Sequence, residues 1–294
     1  GVFLSGPGPV TIADVQLFGY VDGVDARGVE GLTVSNSPVA NPGHSGFYMD
    51  QCSDVQISSS PVTNSGFDGI MAYDVTNLFI SDIQIPDPAY AGLWIQGFTG
   101  LHLSSVEVTG AGQHGLFLTD GQDAFLESFR VSDLVGGTYN GTGIGIGNVI
   151  GVTISNALVE NTGLGLKMGD GLILSEVTGA ARIENSTIIG SGDRNVRVFN
   201  SSGVLDLQIV DTELSNALGL NPNDPGGFGL DLTADGTAQT MLTVAGPSGA
   251  GTQFNSNVSG GIRGTVRSQA SLAARVDGTS GHVSFFGSPT AVAF

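Results

Sequence analysis

The sequence predicts an all-β solenoid of about eleven coils, each made of three short strands. Three observations carry this. A six-residue phrase returns every 23 residues, as Gly31-Leu-Thr-Val-Ser-Asn36, Asp54-Val-Gln-Ile-Ser-Ser59, Asn77-Leu-Phe-Ile-Ser-Asp82, Gly100-Leu-His-Leu-Ser-Ser105 and Asp123-Ala-Phe-Leu-Glu-Ser128. Looser copies begin at Pro9, Gly151, Ala180, Asp206, Met241 and Ala273. Within the phrase apolar and polar residues alternate, the period of a strand with one buried face and not of a helix. Gly also supplies 47 of the 294 residues while aromatics make up 7%, as expected where a turn interrupts the chain every few residues.

Each coil reads in the same order. The first strand points Leu32/Val34, Val55/Ile57, Leu78/Ile80, Leu101/Leu103, Val152/Ile154 and Leu207/Ile209 inward. A turn follows at Asn36, Ser59, Asp82, Ser105, Ser128, Asn156, Asn185 and Asp211. Small polar side chains suit this turn because they bond nearby backbone, tolerate unusual dihedrals and can stack into a ladder. Three residues later comes the inward residue of a second strand: Val39, Val62, Ile85, Val108, Val131, Val159, Ile188 and Leu214. After a Gly/Asn/Ser-rich loop a third strand opens, mostly on Gly, as in Gly46-Phe-Tyr-Met-Asp50, Gly92-Leu-Trp-Ile-Gln96 and Gly165-Leu-Lys-Met-Gly169. Longer coils near 132–142, 168–179 and 216–228 are expected to be loops inserted at turns.

Three strands per coil, a polar turn between the first two and a 23-residue period together resemble the right-handed parallel β-helix of the pectin-lyase-like superfamily, over nearly the whole chain. General crossover chirality also predicts right-handed winding. The resemblance implies that a polysaccharide lies along the face of the third strand. Its outward residues include Tyr48, Met71, Trp94 and Phe117 on successive coils, expected to form an exposed stripe roughly 15 Å long from the strand spacing. Beside them run Asp50, Tyr73 and Gln96. Sugar rings stack on such platforms, so these six residues other than Asp50 are the candidate ligand-binding set; a covering loop or a protein partner would use the same stripe.

Candidates for catalysis are Asp50, Lys167 and Arg197. Asp25 and Asp50 lie one coil apart, roughly 8 Å from sheet spacing, which suits an inverting pair of carboxylates. Arg27, however, falls beside Asp50, where an ion pair would hold its carboxylate charged. Lys167 and Arg197 read as stacked on adjacent coils, with Arg194 near, in a position to neutralise a uronate during elimination. The plainer reading pairs these cations with Asp170, Asp193 or Glu184. The Asn-Thr-Asp triplet, paired aspartates and Gly-His-Gly of pectin-hydrolysing members are absent. So is the catalytic His of the alginate epimerases, whose signature Gly23-Val-Asp-Ala-Arg27 resembles only in outline. His44 and His114 read as isolated loop residues, so no metal and no cofactor is expected.

With 27 acidic against 9 basic residues the net charge is −18. That disfavours nucleic acid and anionic membrane surfaces as partners. Cys52 is alone and cannot form an internal disulfide, and no apolar run approaches the roughly 18 residues that cross a bilayer. Both termini are apolar, with no helix to cap open strand edges. Residues 1–294 are therefore expected to be a single β-helix domain, a segment of a longer chain, with flanking coils or a protein partner at its ends. The function expected on these grounds is a non-catalytic extracellular or cell-surface β-helix of an adhesin, autotransporter-type passenger or filament protein, with a polysaccharide or cell-surface glycan as possible partner. The alternative is a polysaccharide lyase or epimerase acting along the third-strand cleft.

Overall fold

The structure, a computed structural model, describes all residues except 136–140, 164–168, 221–225, 247–250, 278–282, 288–291 and 294, with side chains followed as far as Asp277. It is a parallel β-solenoid without α-helix among the described residues. Each strand pairs in parallel with its counterpart one coil on, so that Ile70 faces Leu93 and Leu93 faces Leu116. The core is the stack of inward residues this register creates. All eight inward positions of the second strand, from Val39 to Leu214, are buried, as are the six expected pairs of the first.

The corners explain how so short a repeat closes. Asn36, Ser59, Asp82, Ser105, Ser128, Asn156, Asn185 and Asp211 all adopt left-handed backbone, with φ between 46 and 54°. Asn and Asp reach this region more readily than other L-residues, because their short polar side chains bond locally. Similar corners, such as Asp74 and Asn77, let Ile70–Pro86 run as one extended strand of 17 residues through two bends. Side-chain ladders form at other corners, where Asn64 donates to Asn41 at 3.1 Å and Asn77 to Asp54 at 2.8 Å. Just after the eight-membered turn column, buried hydroxyls form a second ladder: Ser60 Oγ accepts from the Ser37 N–H at 3.0 Å, and Ser186 Oγ from that of Ala157 at 3.1 Å.

Two expectations are corrected. Coils with all three strands number nine, not about eleven: the second strand recurs from Leu17–Phe18 to Glu213–Ser215 and then stops among the described residues. Beyond it only a single bridge, Glu213 to Gln253, holds that column. The third strand of the coil after Thr142–Ser155 is Leu172–Ser175, inside a stretch expected to be a loop, and not Gly165–Gly169. Gly145 therefore faces Ile173, and Ile173 faces Arg197. Lys167 lies outside the described residues, and the place assigned to it in the column belongs to Ile173.

Candidate functional site

Period-2 alternation turns every second residue of the third strand outward, and the parallel register stacks these residues coil upon coil. Asp25, Tyr48, Met71, Trp94 and Phe117 follow one another in register. Beside them run Arg27, Asp50, Tyr73, Gln96 and Thr119. The rings of Trp94 and Phe117 stack, with centroids 4.3 Å apart and planes 25° apart. Tyr48 and Tyr73 approach to 6.1 Å at a tilt. The stripe is not continuous, however. Met71, between the larger side chains of Tyr48 and Trp94, is only 6% exposed and contributes to the floor beneath them.

A second aromatic column, which the strand-based alignment passed over, rises beside this floor. His44, Phe67 and Tyr90 stack at centroid distances of 5.2 and 4.8 Å with planes within 8°. Their 23-residue spacing was the available signal; they sit in the loops before the third strand, where an alignment on apolar alternation has nothing to count. Tyr90 meets Trp94 at 5.8 Å and 41°, so the aromatic wall and floor adjoin at an angle. His114 occupies the corner, 5.3 Å from Phe117 and edge-on to Tyr90 at 6.1 Å. It opens the strand His114–Glu127 and is thus no loop residue. Burial lowers its pKa to about 4 and keeps the imidazole neutral. At the foot of the wall Asp68 is fully buried. It accepts the Ala91 N–H at 2.9 Å, and burial pushes its carboxyl up to about 7.

The charged candidates separate. The Arg27 guanidinium lies bidentate on Asp25, at 2.8 and 3.1 Å, and 5.1 Å from the ring of Tyr48. The ion pair expected with Asp50 is thus made with Asp25, two residues along the same strand and on the same face. Arg194 is buried, and its partners are Asp231 at 2.6 Å, Asp193, and Asp170 at 3.7 Å. Arg263 also binds Asp231. Arg197 keeps a side chain 45% exposed, with Nη1 3.9 Å from Asp170. Burial raises the Asp170 carboxyl to about 6 against the pull of Arg194. Glu184, the third acid considered for these cations, is held by Arg182.

Elsewhere, Phe79, His102 and Phe125 form a column on the outward face of the first strand, with ring distances of 5.8 and 4.8 Å. Among the described residues no group of three or more His, Cys, Asp or Glu side chains could hold a metal ion, and no helix is long and apolar enough to cross a membrane.

Comparison with known proteins bears on the fold that carries these residues. The family described as "Right handed beta helix region" matches residues 22–188. No curated protein matches the sequence. Among solved structures, the periplasmic alginate epimerase AlgG superposes with a TM-score of 0.57 at 12% identity, over 99% of this chain and 74% of that one. A mutant of AlgG gives 0.55 at 12% identity with the same coverage. The A-module of an Azotobacter vinelandii mannuronan C-5 epimerase gives 0.44 at 13%, over 99% of this chain and 91% of that one. At such identities the likeness is one of fold. The expectation of a non-catalytic adhesin, passenger or filament segment is corrected here: the AlgG structures that share the fold over 99% of this chain are those of an alginate epimerase, and the alternative, a polysaccharide lyase or epimerase, is taken up below as a proposal. Residues 22–188 are more than half of the 294, and the chain belongs to the right-handed β-helix family.

Proposed function

We propose that the chain is a carbohydrate-active β-helix, working outside the cytoplasm, that takes a polysaccharide along the cleft between the third-strand floor and the His44–Phe67–Tyr90 wall. The carrying observation is the aromatic cluster itself: Trp94 lies 4.3 to 6.4 Å from the rings of Phe117, Tyr90 and His114, which meet it at several angles. Aromatic faces desolvate the apolar faces of sugars at little conformational cost, and exposed aromatic platforms mark binding surfaces. Tyr48, Tyr73 and Gln96 extend the floor on neighbouring coils. A polysaccharide epimerase sharing this fold over 99% of the chain is consistent with the reading.

A second reading, elimination or epimerisation of a uronate, is favoured by one observation: Arg197 stands half exposed three register steps from Phe117, where it can meet a carboxylate. Retention on a panel of polysaccharides, together with assays for new reducing ends, for unsaturated ends and for altered uronate stereochemistry, tests both. Trp94→Ala is expected to abolish retention with the fold intact. Loss of uronate product in Arg197→Ala, by about 100-fold or more, would select the second reading. A chain that neither retains nor converts any polymer would sink the proposal.

A further inference from the structure

We infer that the aromatic cleft is built for an uncharged glycan and turns polyuronates away. The inference rests on the reading of the cleft as a glycan site and adds the class of sugar. Residues 1–150, which hold the cleft, carry fifteen acidic and two basic residues, whereas residues 151–294 carry twelve and seven. Thus −13 of the net −18 falls on the half that contains the aromatic rings. None of residues 28–129 is Lys or Arg. Of the two cations of this half, Arg27 stands at the margin of the floor, over Tyr48, with its charge already paired, and Arg130 lies on a different strand of the coil. Arg27 is bound bidentate by Asp25, and Arg130 sits on the second strand, in register with Glu107.

A polyuronate laid over several coils would bring a carboxylate with each sugar and find no counter-charge. It would instead meet Asp50 beside Tyr73 in the floor, and Asp120, 3.4 Å from Gln96. Like charges a few ångströms apart near a protein surface repel. The polar atoms beneath the rings are neutral. Trp94 Nε1 and His114 Nδ1, with Gln113 Oε1 on the residue before, are buried polar atoms without a hydrogen-bond partner among the described residues. Orphaned groups of this kind call for a partner. A sugar hydroxyl, which both donates and accepts, satisfies an indole N–H, an imidazole nitrogen and an amide oxygen alike. His114, neutral by burial, adds no positive charge at pH 7. Elimination and epimerisation both use a uronate carboxylate to acidify the neighbouring C–H, so an uncharged ligand removes both from this stretch of the face.

The experiment is titration of the full chain with uncharged polymers (laminarin, dextran, galactomannan) and with alginate and polygalacturonate, at 0.15 and 1 M NaCl. At least one uncharged polymer is expected to bind about tenfold or more tightly than either polyuronate at 0.15 M, with an affinity unchanged at 1 M, where charges are screened beyond about 3 Å. Trp94→Ala and Tyr90→Ala should each lose that binding by about tenfold, and Phe79→Ala, on the first-strand face, should keep it; circular dichroism establishes that each variant is folded. Polyuronate binding that equals or exceeds the best uncharged polymer, and that depends on Trp94, overturns the inference while leaving the glycan site standing. Binding of neither class, or binding indifferent to Trp94 and Tyr90, overturns the glycan site and this inference with it.

Discussion

Trp94 and Phe117 are 23 residues apart in sequence and stacked at 4.3 Å in space. Nothing local brings them together: each is held by its own strand, and the parallel register Trp94 to Phe117 sets their spacing. Strands lie about 4.7–4.9 Å apart, close to the distance of stacked rings. A repeat that spends one outward position per coil on an aromatic residue therefore builds a stack as a by-product of its hydrogen bonding. His44, Phe67 and Tyr90 stack in the loops by a similar spacing, set by backbone bonds between coils: the Phe67 N–H donates to the His44 carbonyl at 2.9 Å and the Tyr90 N–H to that of Phe67 at 3.0 Å.

The core should respond locally. Ile57 and Ile80 are in register and both buried. Ile80→Ala is expected to cost about 2–5 kcal/mol through lost transfer energy and the cavity left behind. Because solenoid coils support only their neighbours, the loss should appear as faster hydrogen exchange in the coils around residues 55–105. Unchanged exchange there would contradict the register.

Arg194 and Arg197 should behave oppositely, though they are three residues apart. Arg194 is buried among Asp170, Asp193 and Asp231. Removing it in Arg194→Ala leaves buried carboxylates short of their counter-charge, a change worth about 3–5 kcal/mol. Arg197, half exposed and 3.9 Å from Asp170, belongs with surface pairs worth about 0–1 kcal/mol. Thermal melts should show a large drop for Arg194→Ala and almost none for Arg197→Ala; equal drops would mean that the buried network is not what holds these coils.

Stability should fall as the solution is made less acid, through Asp68. Its carboxyl is raised from 3.8 to about 7 by burial. The folded chain thus holds a proton that the unfolded chain releases between about pH 4 and 7, and stability is lost as pH rises through that window. Asp170, raised to about 6, contributes in the same sense. Asp68→Asn keeps an oxygen for the Ala91 N–H but cannot ionise, so its melting temperature should vary less than the parent's from pH 4 to 7. Identical pH profiles for the two proteins would refute the assignment.

The register of the candidate residues was legible in the sequence where a residue belongs to an alternating strand. Tyr48, Trp94, Phe117, Tyr73 and Gln96 fall where the period placed them. It was not legible where two segments carry the same pattern. Gly165-Leu-Lys-Met and Gly171-Leu-Ile-Leu are equally good third strands. Only the pairing of Leu172 with Ile144 on one side and Val196 on the other selects the second.

The sequence by itself determined the solenoid, its buried columns and its left-handed corners. These follow from a short repeat of apolar alternation and small polar turns, each a property of residues close together in the chain. The tertiary structure alone decided which neighbours meet. Met71 is covered while Trp94 is not, Arg27 turns to Asp25 and not to Asp50, and the loop residue Tyr90 meets the strand residue Trp94. Those choices depend on side-chain size and direction across coils and between strand and loop, which a one-dimensional period does not encode.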